Sequence, residues 1–284
     1  MDEREQIGRE MLEHLPVVQA PDAIWTSIEA ALEERQSPAR RPWLWAFASI
    51  AMLALLAVGY WSVAHRAGEW IETDSKSRTT LRIGEIGFVE VEPGTRVRVV
   101  TEQPGEHRLS LAHGEIRAKI SAPPKLFFVD TASGTAVDLG CEYDLNADDL
   151  GRGVLRVTRG WVSYQWKGAE SLVPAGASCR TRPKAGPGIP YFDDAPEPLK
   201  KAVDAFVFDN GGSAALAVVL SEARVRDTLT LWHLLSRVDS ADRGRVFDRI
   251  AALSPAPSGV SRGQILKLDP PALKLWREDL AWKW

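Results

Sequence analysis

Few side chains in this 284-residue sequence stand at a spacing that suggests catalysis. The run GVSRG, 259–263, matches the G-x-S-x-G motif that presents a nucleophilic serine on a turn between a strand and a helix. That motif needs a strand before the serine and a histidine after it. Here LSPAPS precedes the run and no histidine follows Ser261, so the sequence does not predict a serine hydrolase.

Metal binding is the second chemistry to test. His107 and His113 lie in one predicted strand region with Glu106 and Glu115, and these residue types can hold zinc. Their spacing matches no recognised zinc pattern, and neither cysteine has a near neighbour that would complete a closed site. We interpret both histidines as turn or solvent-facing residues, and His233 as a core or interface residue. We therefore expect no metal, no cofactor and no enzymatic activity.

The sequence contains two cysteines, Cys141 and Cys179. In an oxidising compartment they could form a disulfide, and closing a loop of that length would stabilise the fold by about 4 kcal/mol. Alternatively, they are two small buried thiols on separate strands. The sequence leaves both readings open.

An acidic N-terminal segment is the part of the sequence whose chemistry suggests a task. Residues 1–40 contain nine carboxylates and four arginines, and Ile24, Trp25, Ile28 and Leu32 form an apolar stripe at helical spacing. An acidic amphipathic helix with a tryptophan anchor can bind a groove on a basic partner. Alternatively, the charges form the solvated face of a small bundle beside the membrane.

A long apolar run follows this acidic N-terminal segment, which we call the arm. Residues 42–64 contain no ionisable side chain except Tyr60, and a helix of that length spans about 34 Å, against about 30 Å of bilayer hydrocarbon. Trp43 and Trp45 stand near one end and Tyr60 and Trp61 near the other, where aromatic rings prefer the lipid boundary. A buried helix of a soluble domain rarely runs this long without charge, and a cleaved signal peptide is usually shorter. We predict one transmembrane helix.

The hydrophobic period changes from four to two between residues 72 and 183. Stretches such as HRLSLAHGEIRAKI and GVLRVTRGWVSYQW alternate polar with apolar residues. The turn sequences EPGT, EQPGE, ASGT and DDLGRG separate them at short intervals. This pattern predicts an all-β domain with the architecture of a roll or sandwich.

Helical patterns return after a Pro/Gly-rich segment, 184–196, which we interpret as a linker. Asp227, Asp239 and Asp269 each precede an apolar-periodic run and are good helix start residues. The sequence thus predicts an α-helical domain over 197–284 and an α+β protein overall. The predicted helical core consists of Leu231, Trp232, Leu235, Val246, Phe247, Ile250, Leu273 and Trp276.

The β region also contains six motifs in a fixed order: EPGTRVRVV, LSLAHGEIRAKI, PPKLFFVDT, AVDLGCEYDL, LRVTRGWVSY and SLVPAGAS. In this order they resemble the FecR family of transmembrane regulators. Three residues depart from the family pattern. Cys141 stands where threonine is usual, Tyr143 stands where phenylalanine is usual, and Asp138 interrupts an apolar run.

The resemblance implies a location in the inner membrane. The arm, 1–41, would be cytoplasmic, the helix 42–64 would span once, and the β domain, 72–183, would be periplasmic. A protein of this type is an anti-sigma regulator, in which the β domain senses or binds a signal and the arm contacts a sigma factor. Ile24, Trp25, Ile28 and Leu32 would form the contact face.

The alternative is a membrane-anchored envelope module that recognises a polysaccharide, peptidoglycan or another envelope protein. Direct binding to nucleic acid is not expected in either case, because the net charge is −3 and the pI is about 6.0.

Overall fold

The computed structural model of the protein describes residues 68–284. The predicted arm, 1–41, and the predicted transmembrane helix, 42–64, lie outside the described residues. Over 68–284, no helix has the length and apolar character needed to cross a membrane. These residues belong to one compact unit, Ser62–Trp284.

Fourteen strands among the described residues build the β region. Their bounds are β1 Trp70–Glu72, β2 Thr79–Ile83, β3 Gly87–Val91, β4 Arg96–Gln103, β5 Glu106–Ile120, β6 Phe127–Thr131, β7 Gly134–Asp138, β8 Glu142–Ala147, β9 Gly153–Arg159, β10 Trp161–Trp166, β11 Ala169–Pro174, β12 Ala177–Arg182, β13 Gly186–Pro187 and β14 Tyr191–Phe192. They form one continuous hydrogen-bonded sheet. All the pairs are antiparallel except that between β5 and β6.

The long strand β5 divides this sheet into two halves. Its first part pairs with β4 and β6, whereas its second part pairs with β3 and β8. The change of partners falls at Gly114, where φ is +96° and an added Cβ would lie 2.4 Å from Cα of Thr95. Only glycine fits this close approach at a positive φ. We call the half that contains β4, β6, β7, β10 and β11 sheet I, and the half that contains β2, β3, β8, β9 and β12 sheet II.

Alternating residues of both halves meet in one core. In β4, Val97 and Val99 are buried, and in β5 the buried positions include Leu109, Leu111 and Ile116. Since neighbouring side chains of a strand point to opposite faces, the intervening polar residues lie on the outside. The predicted mainly β architecture, followed by a helical region, is confirmed at this level, whereas the domain boundaries stay predictions.

Six helices follow the strands within the described residues: α1 Glu197–Phe208, α2 Gly212–Glu222, α3 Thr228–Leu234, α4 Ser240–Leu253, α5 Arg262–Leu266 and α6 Pro270–Ala281. Two of the predicted start residues cap their helices. Asp239 accepts a hydrogen bond from the backbone N–H of Asp242 at 2.9 Å, and Asp269 accepts one from Ala272 at 3.0 Å. Such caps satisfy backbone donors that have no partner within the helix.

The third predicted start residue acts differently. Asp227 precedes α3, but its side chain makes no cap bond and is fully buried. It accepts a hydrogen bond from Nε of Arg224 at 2.7 Å instead. The predicted helical core is confirmed, since six of its members are buried and the other two, Trp232 and Leu273, are partly buried.

The segment 184–196, predicted as a linker, is largely buried and continues the sheet. Its two short strands, β13 and β14, both pair with β12. Tyr191 packs in the helical core, whereas Phe192 packs in the core of the β region. Glycine and proline are tolerated here because they lie in a two-residue strand near the end of the sheet.

The helical region covers the free edge of β11. The backbone N–H of Leu172 donates to Nε2 of His233 at 3.0 Å, and Nδ1 of His233 lies 2.9 Å from the carbonyl oxygen of Leu229. Trp284 adds a contact with the β region, because it packs against the β core and its ring centroid lies 6.1 Å from that of Trp161 in β10. Covering an edge strand in this way prevents it from pairing with another chain.

Candidate ligand-binding surface

The predicted partner-binding residues Ile24, Trp25, Ile28 and Leu32 lie outside the described residues. The structure therefore brings none of them to a site, and the contact face stays a prediction.

The two cysteines are free and buried. Cys141 donates a hydrogen bond to the carboxylate of Asp138, and Sγ of Cys179 lies 3.5 Å from the carbonyl oxygen of Gly188. The disulfide that the sequence left open is not formed. Burial raises the pKa of the Cys141 thiol above its ordinary value and that of Cys179 to about 12. Because the thiolate is the reactive form, both are inert at neutral pH.

The three departures from the family pattern meet in the core of the β region. Besides Cys141, the Asp138 carboxylate accepts the backbone N–H of Gly140 at 2.6 Å, which fixes the turn between β7 and β8. The hydroxyl of Tyr143 is buried without a hydrogen-bond partner in the described part of the chain. Burial raises the pKa of Asp138 and that of Tyr143 above their ordinary values. We interpret these groups as structural, because none of the three residues is more than 1% exposed.

The candidate catalytic and metal-ligating residues have ordinary roles. Ser261 caps α5 in a capping box with Gln264. His113 lies 3.8 Å from Asp149 at the surface. Across residues 68–284, no three histidine, cysteine or acidic side chains form a cluster that could hold a metal ion. His233 is buried with both ring nitrogens bonded, as interpreted from the sequence, and burial lowers its pKa to about 4.

The outer face of sheet II carries two parallel rows of charged residues that cross its strands. We call one the basic row: successive register partners on β2, β3, β5, β8 and β9 are Arg82, Phe88, Lys119, Glu142 and Arg159. The second row lies two residues along β2, β3, β5 and β8, and three residues along β9 because of a register shift there. We call it the paired row, and it consists of Thr80, Glu90, Arg117, Asp144 and Arg156.

Charges in the paired row are held by close partners. Nε of Arg117 lies 2.7 Å from the carboxylate of Asp144, and Nε of Arg156 lies 2.8 Å from that of Asp193. Hydrogen bonding to Asp144 is the largest contribution to a raised pKa of Arg117. Directional pairs of this length leave little of either charge available to a ligand.

The ion pairs of the basic row are longer than these two pairs of the paired row. The distance from Arg159 to Glu142 is 3.5 Å, that from Lys119 to Glu90 is 3.8 Å, and the Arg159 side chain is 80% exposed. Arg82 reaches its nearest carboxylate, Glu85, only at 4.0 Å. Exposed pairs at such distances contribute little to stability, so these cations stay available.

An aromatic ring lies between the first two cations of this row. Phe88 is 37% exposed, and Nζ of Lys119 lies 5.4 Å from its ring centroid. A pocket of about 480 Å³ opens beside it, lined by Phe88, Lys119, Ser121, Glu142 and Arg159. The row and its pocket combine positive charge with an exposed apolar ring.

Two other pockets are lined by arginines that are already paired. On sheet I, a pocket of about 540 Å³ contains Arg108, whose guanidinium lies 2.9 Å from each of Glu106 and Asp130. A third pocket, of about 460 Å³, contains Arg180 and Arg182, and each is paired with an aspartate.

Sequence reasoning missed the basic row, because cross-strand register is set by pairing between distant segments. The only sequence feature that marks these residues is their place at outward positions of alternating strands.

Comparison with known proteins gives a domain match and a partial structural likeness. Residues 69–163 match the family model described as FecR protein. No curated protein matches the chain. Two crystal structures of a candidate anti-sigma factor from Parabacteroides distasonis ATCC 8503, at 2.50 and 1.65 Å resolution, each share 16% identity with the chain at a TM-score of 0.39. Each match covers 47% of this chain and 63% of the other, so the chain spans less than two thirds of those structures.

The domain match runs from β1 to the middle of β10. It contains the first four motifs of the sequence analysis and nearly all of the fifth, whereas SLVPAGAS, 171–178, lies beyond it. The match confirms the predicted resemblance over the residues that it covers. We call residues 69–163, which match the FecR family model, the FecR domain.

Proposed function

We propose that this chain is a single-pass regulator of the FecR, anti-sigma type. One observation carries the proposal: the FecR domain, 69–163, begins five residues after the predicted transmembrane helix, 42–64. A folded sensor joined so closely to a span, with an acidic arm on the other side, is an arrangement suited to signalling across the inner membrane. The N-terminus would be cytoplasmic and the described residues periplasmic.

The arm would hold the sigma factor through its apolar stripe. Burial of Trp25 with Ile24, Ile28 and Leu32 can supply several kcal/mol, which exposed charges cannot. The nine carboxylates of residues 1–40 would steer the approach of a basic partner. The FecR domain would bind or sense the signal outside.

Co-purification tests this function. Full-length protein, extracted in detergent, should bring down a sigma factor from the same genome, and Trp25→Ala should reduce that recovery at least about 10-fold, as loss of a tryptophan anchor does. Trp282→Ala is the matched control, because Trp282 is 92% exposed on the helical region. The proposal fails if no sigma factor is recovered and deletion of the gene leaves transcription unchanged.

The loosely held cations of sheet II favour a second candidate, an anchored envelope-binding module. This function needs nothing from the arm except its place in the chain. Strong binding of an envelope component by the full-length protein, without any link to a sigma factor, would favour the second candidate over the first.

A further inference from the structure

We propose that the basic row binds an anionic polysaccharide. The proposal rests on the proposed function only in placing the FecR domain in the envelope, where such a polymer would be met. The surface consists of Arg82, Phe88, Lys119 and Arg159 with the pocket of about 480 Å³ beside them.

The first argument is the loose pairing of the three cations. Arg82, Lys119 and Arg159 reach Glu85, Glu90 and Glu142 only at 4.0, 3.8 and 3.5 Å. Exposed pairs at such distances contribute little to stability, so each cation can turn to an acidic group of a ligand at little cost.

The second argument is the spacing of the cations. Arg82, Lys119 and Arg159 lie on alternate strands of sheet II, in register. Neighbouring strands are about 4.8 Å apart, so these three residues stand at intervals of about 10 Å along a line across the sheet. Evenly spaced cations on a line fit a polymer with a regular repeat of acidic groups better than they fit a single small anion.

The third argument is the position of Phe88. Its exposed ring lies between Arg82 and Lys119, where a polymer that contacts both cations must pass over it. An aromatic ring gives apolar contact area at low cost in conformational entropy. The C–H face of a sugar ring suits that contact, while the acidic groups of the polymer reach the cations on either side.

An acidic peptide is the alternative occupant. One mode of peptide recognition adds a strand to a free sheet edge through backbone hydrogen bonds, and another holds acidic groups on clustered arginines. The row crosses strands β3, β5 and β8, each of which is paired on both sides, so the first mode is closed there. The exposed ring of Phe88 favours a sugar over the second mode, and the comparison of polymers below decides between them.

The binding assay uses full-length protein in detergent with three polymers as probes. These are polygalacturonate, in which every sugar carries a carboxylate, uncharged dextran, and poly-L-glutamate. We expect polygalacturonate to bind most tightly, dextran not to bind, and poly-L-glutamate to bind at least about 10-fold more weakly. Affinity for polygalacturonate should fall as salt is raised, since exposed charges are screened.

Two double variants separate the row from net charge. Arg82→Gln with Arg159→Gln should weaken binding of polygalacturonate about 10-fold, and Phe88→Ala should weaken it about 3-fold. The matched control, Arg117→Gln with Arg156→Gln, removes the same charge from the paired row of the same sheet face and should change affinity less than about 2-fold. Thermal unfolding of each variant verifies that it is folded.

Three results would overturn the proposal. Equal binding of dextran would show that charge is not recognised, and equal binding of poly-L-glutamate would show that the sugar is not. Equal weakening by the two double variants would assign the effect to net charge and not to the row. Membrane topology, tested separately, decides the proposed function, so the two proposals can fail independently.

Discussion

The β region assembles its core from segments far apart in sequence, whereas the helical region packs neighbouring helices of the chain on one another. Arg117 of β5, for example, pairs with Asp144 of β8, 27 residues later. By contrast, α1 and α2 are separated only by a short turn at Gly211. The first region therefore depends on a few positions that set long-range register, and the second depends on local caps and one dense core.

The two regions also bury polar groups for different purposes. In the β region, the thiol of Cys141 and the backbone N–H of Gly140 both donate hydrogen bonds to the carboxylate of Asp138 within one turn. In the helical region, buried polar groups reach across to the β region: Oγ1 of Thr230 donates to the carbonyl of Pro190 at 2.8 Å, and His233 accepts from Leu172. The junction is thus specified by hydrogen bonds, and we expect the two regions to unfold together.

Position 114 should show the largest effect, because it sets the register of the β region. Gly114→Ala should destabilise the protein by more than about 3 kcal/mol, since the new Cβ overlaps Thr95 at a positive φ. Gly105→Ala is the matched control: φ is +92° there, but nothing lies within 4 Å of the added Cβ. It should cost about 1 kcal/mol. Denaturant unfolding measures both values, and equal costs would contradict the role of Gly114.

The core of the helical region should depend on Trp276, which is fully buried and packs against Phe247 with ring centroids 5.1 Å apart. Trp276→Ala should lower the free energy of unfolding by about 3–5 kcal/mol. Trp282→Ala, at an exposed position just past the same helix, should change it by less than about 0.5 kcal/mol. Hydrogen exchange should show amides of both regions losing protection together in Trp276→Ala. If only amides of the helices lose protection from exchange, the two regions unfold separately.

Acid should weaken the junction through His233. Its pKa is about 4 in the folded protein, below the ordinary value of 6.5, because burial disfavours the imidazolium. As the pH falls from 6.5 to 4, the unfolded chain binds the proton first, so the free energy of unfolding decreases by about 3 kcal/mol and then levels off.

His233→Gln should remove that part of the pH dependence. The difference between wild type and variant, measured by denaturant unfolding at pH 7 and pH 4.5, isolates the histidine from carboxylates common to both proteins. Asp138, Asp204 and Glu115 have pKa values raised by burial and contribute with the opposite sign. A difference that does not change with pH would contradict the role of His233.

Two buried tyrosines of the β core should give the smallest effects. Tyr164→Phe removes a hydrogen bond of 2.6 Å to Oγ1 of Thr131 and should cost about 1 kcal/mol. Tyr143→Phe removes a hydroxyl that has no partner among residues 68–284 and should be neutral or slightly stabilising. Thermal unfolding of the two variants and of the wild type measures both changes in stability. If Tyr143→Phe costs as much as Tyr164→Phe, the hydroxyl of Tyr143 is hydrogen bonded in solution.

Sequence patterns with a local cause were predictable. Alternation in β4 and β5, the caps at Asp239 and Asp269, and the buried Trp276 follow from the periods of strands and helices and from backbone groups at helix ends. The order of the six motifs was sufficient to identify the FecR domain. The strand periods, the caps and the residues within each motif all depend on positions close together in the chain.

Features that depend on distant partners were not predictable. The segment 184–196 has the composition of a linker, yet it is buried because β12 and the helical core lie on either side of it. Asp227 is a local exception: it has the position of a cap, but Arg224, three residues before it, binds its carboxylate. Likewise, nothing local distinguishes Arg159 in the basic row from Arg156 in the paired row. Only the register of the sheet separates them.

Membrane topology is the most direct test of the central claim that one span separates the acidic arm from the FecR domain. Compartment reporters fused before Met1 and after Trp284 should be active on opposite sides of the inner membrane, with the N-terminal fusion cytoplasmic. Reporters active in the same compartment, or a native protein that is soluble without detergent, would contradict the account.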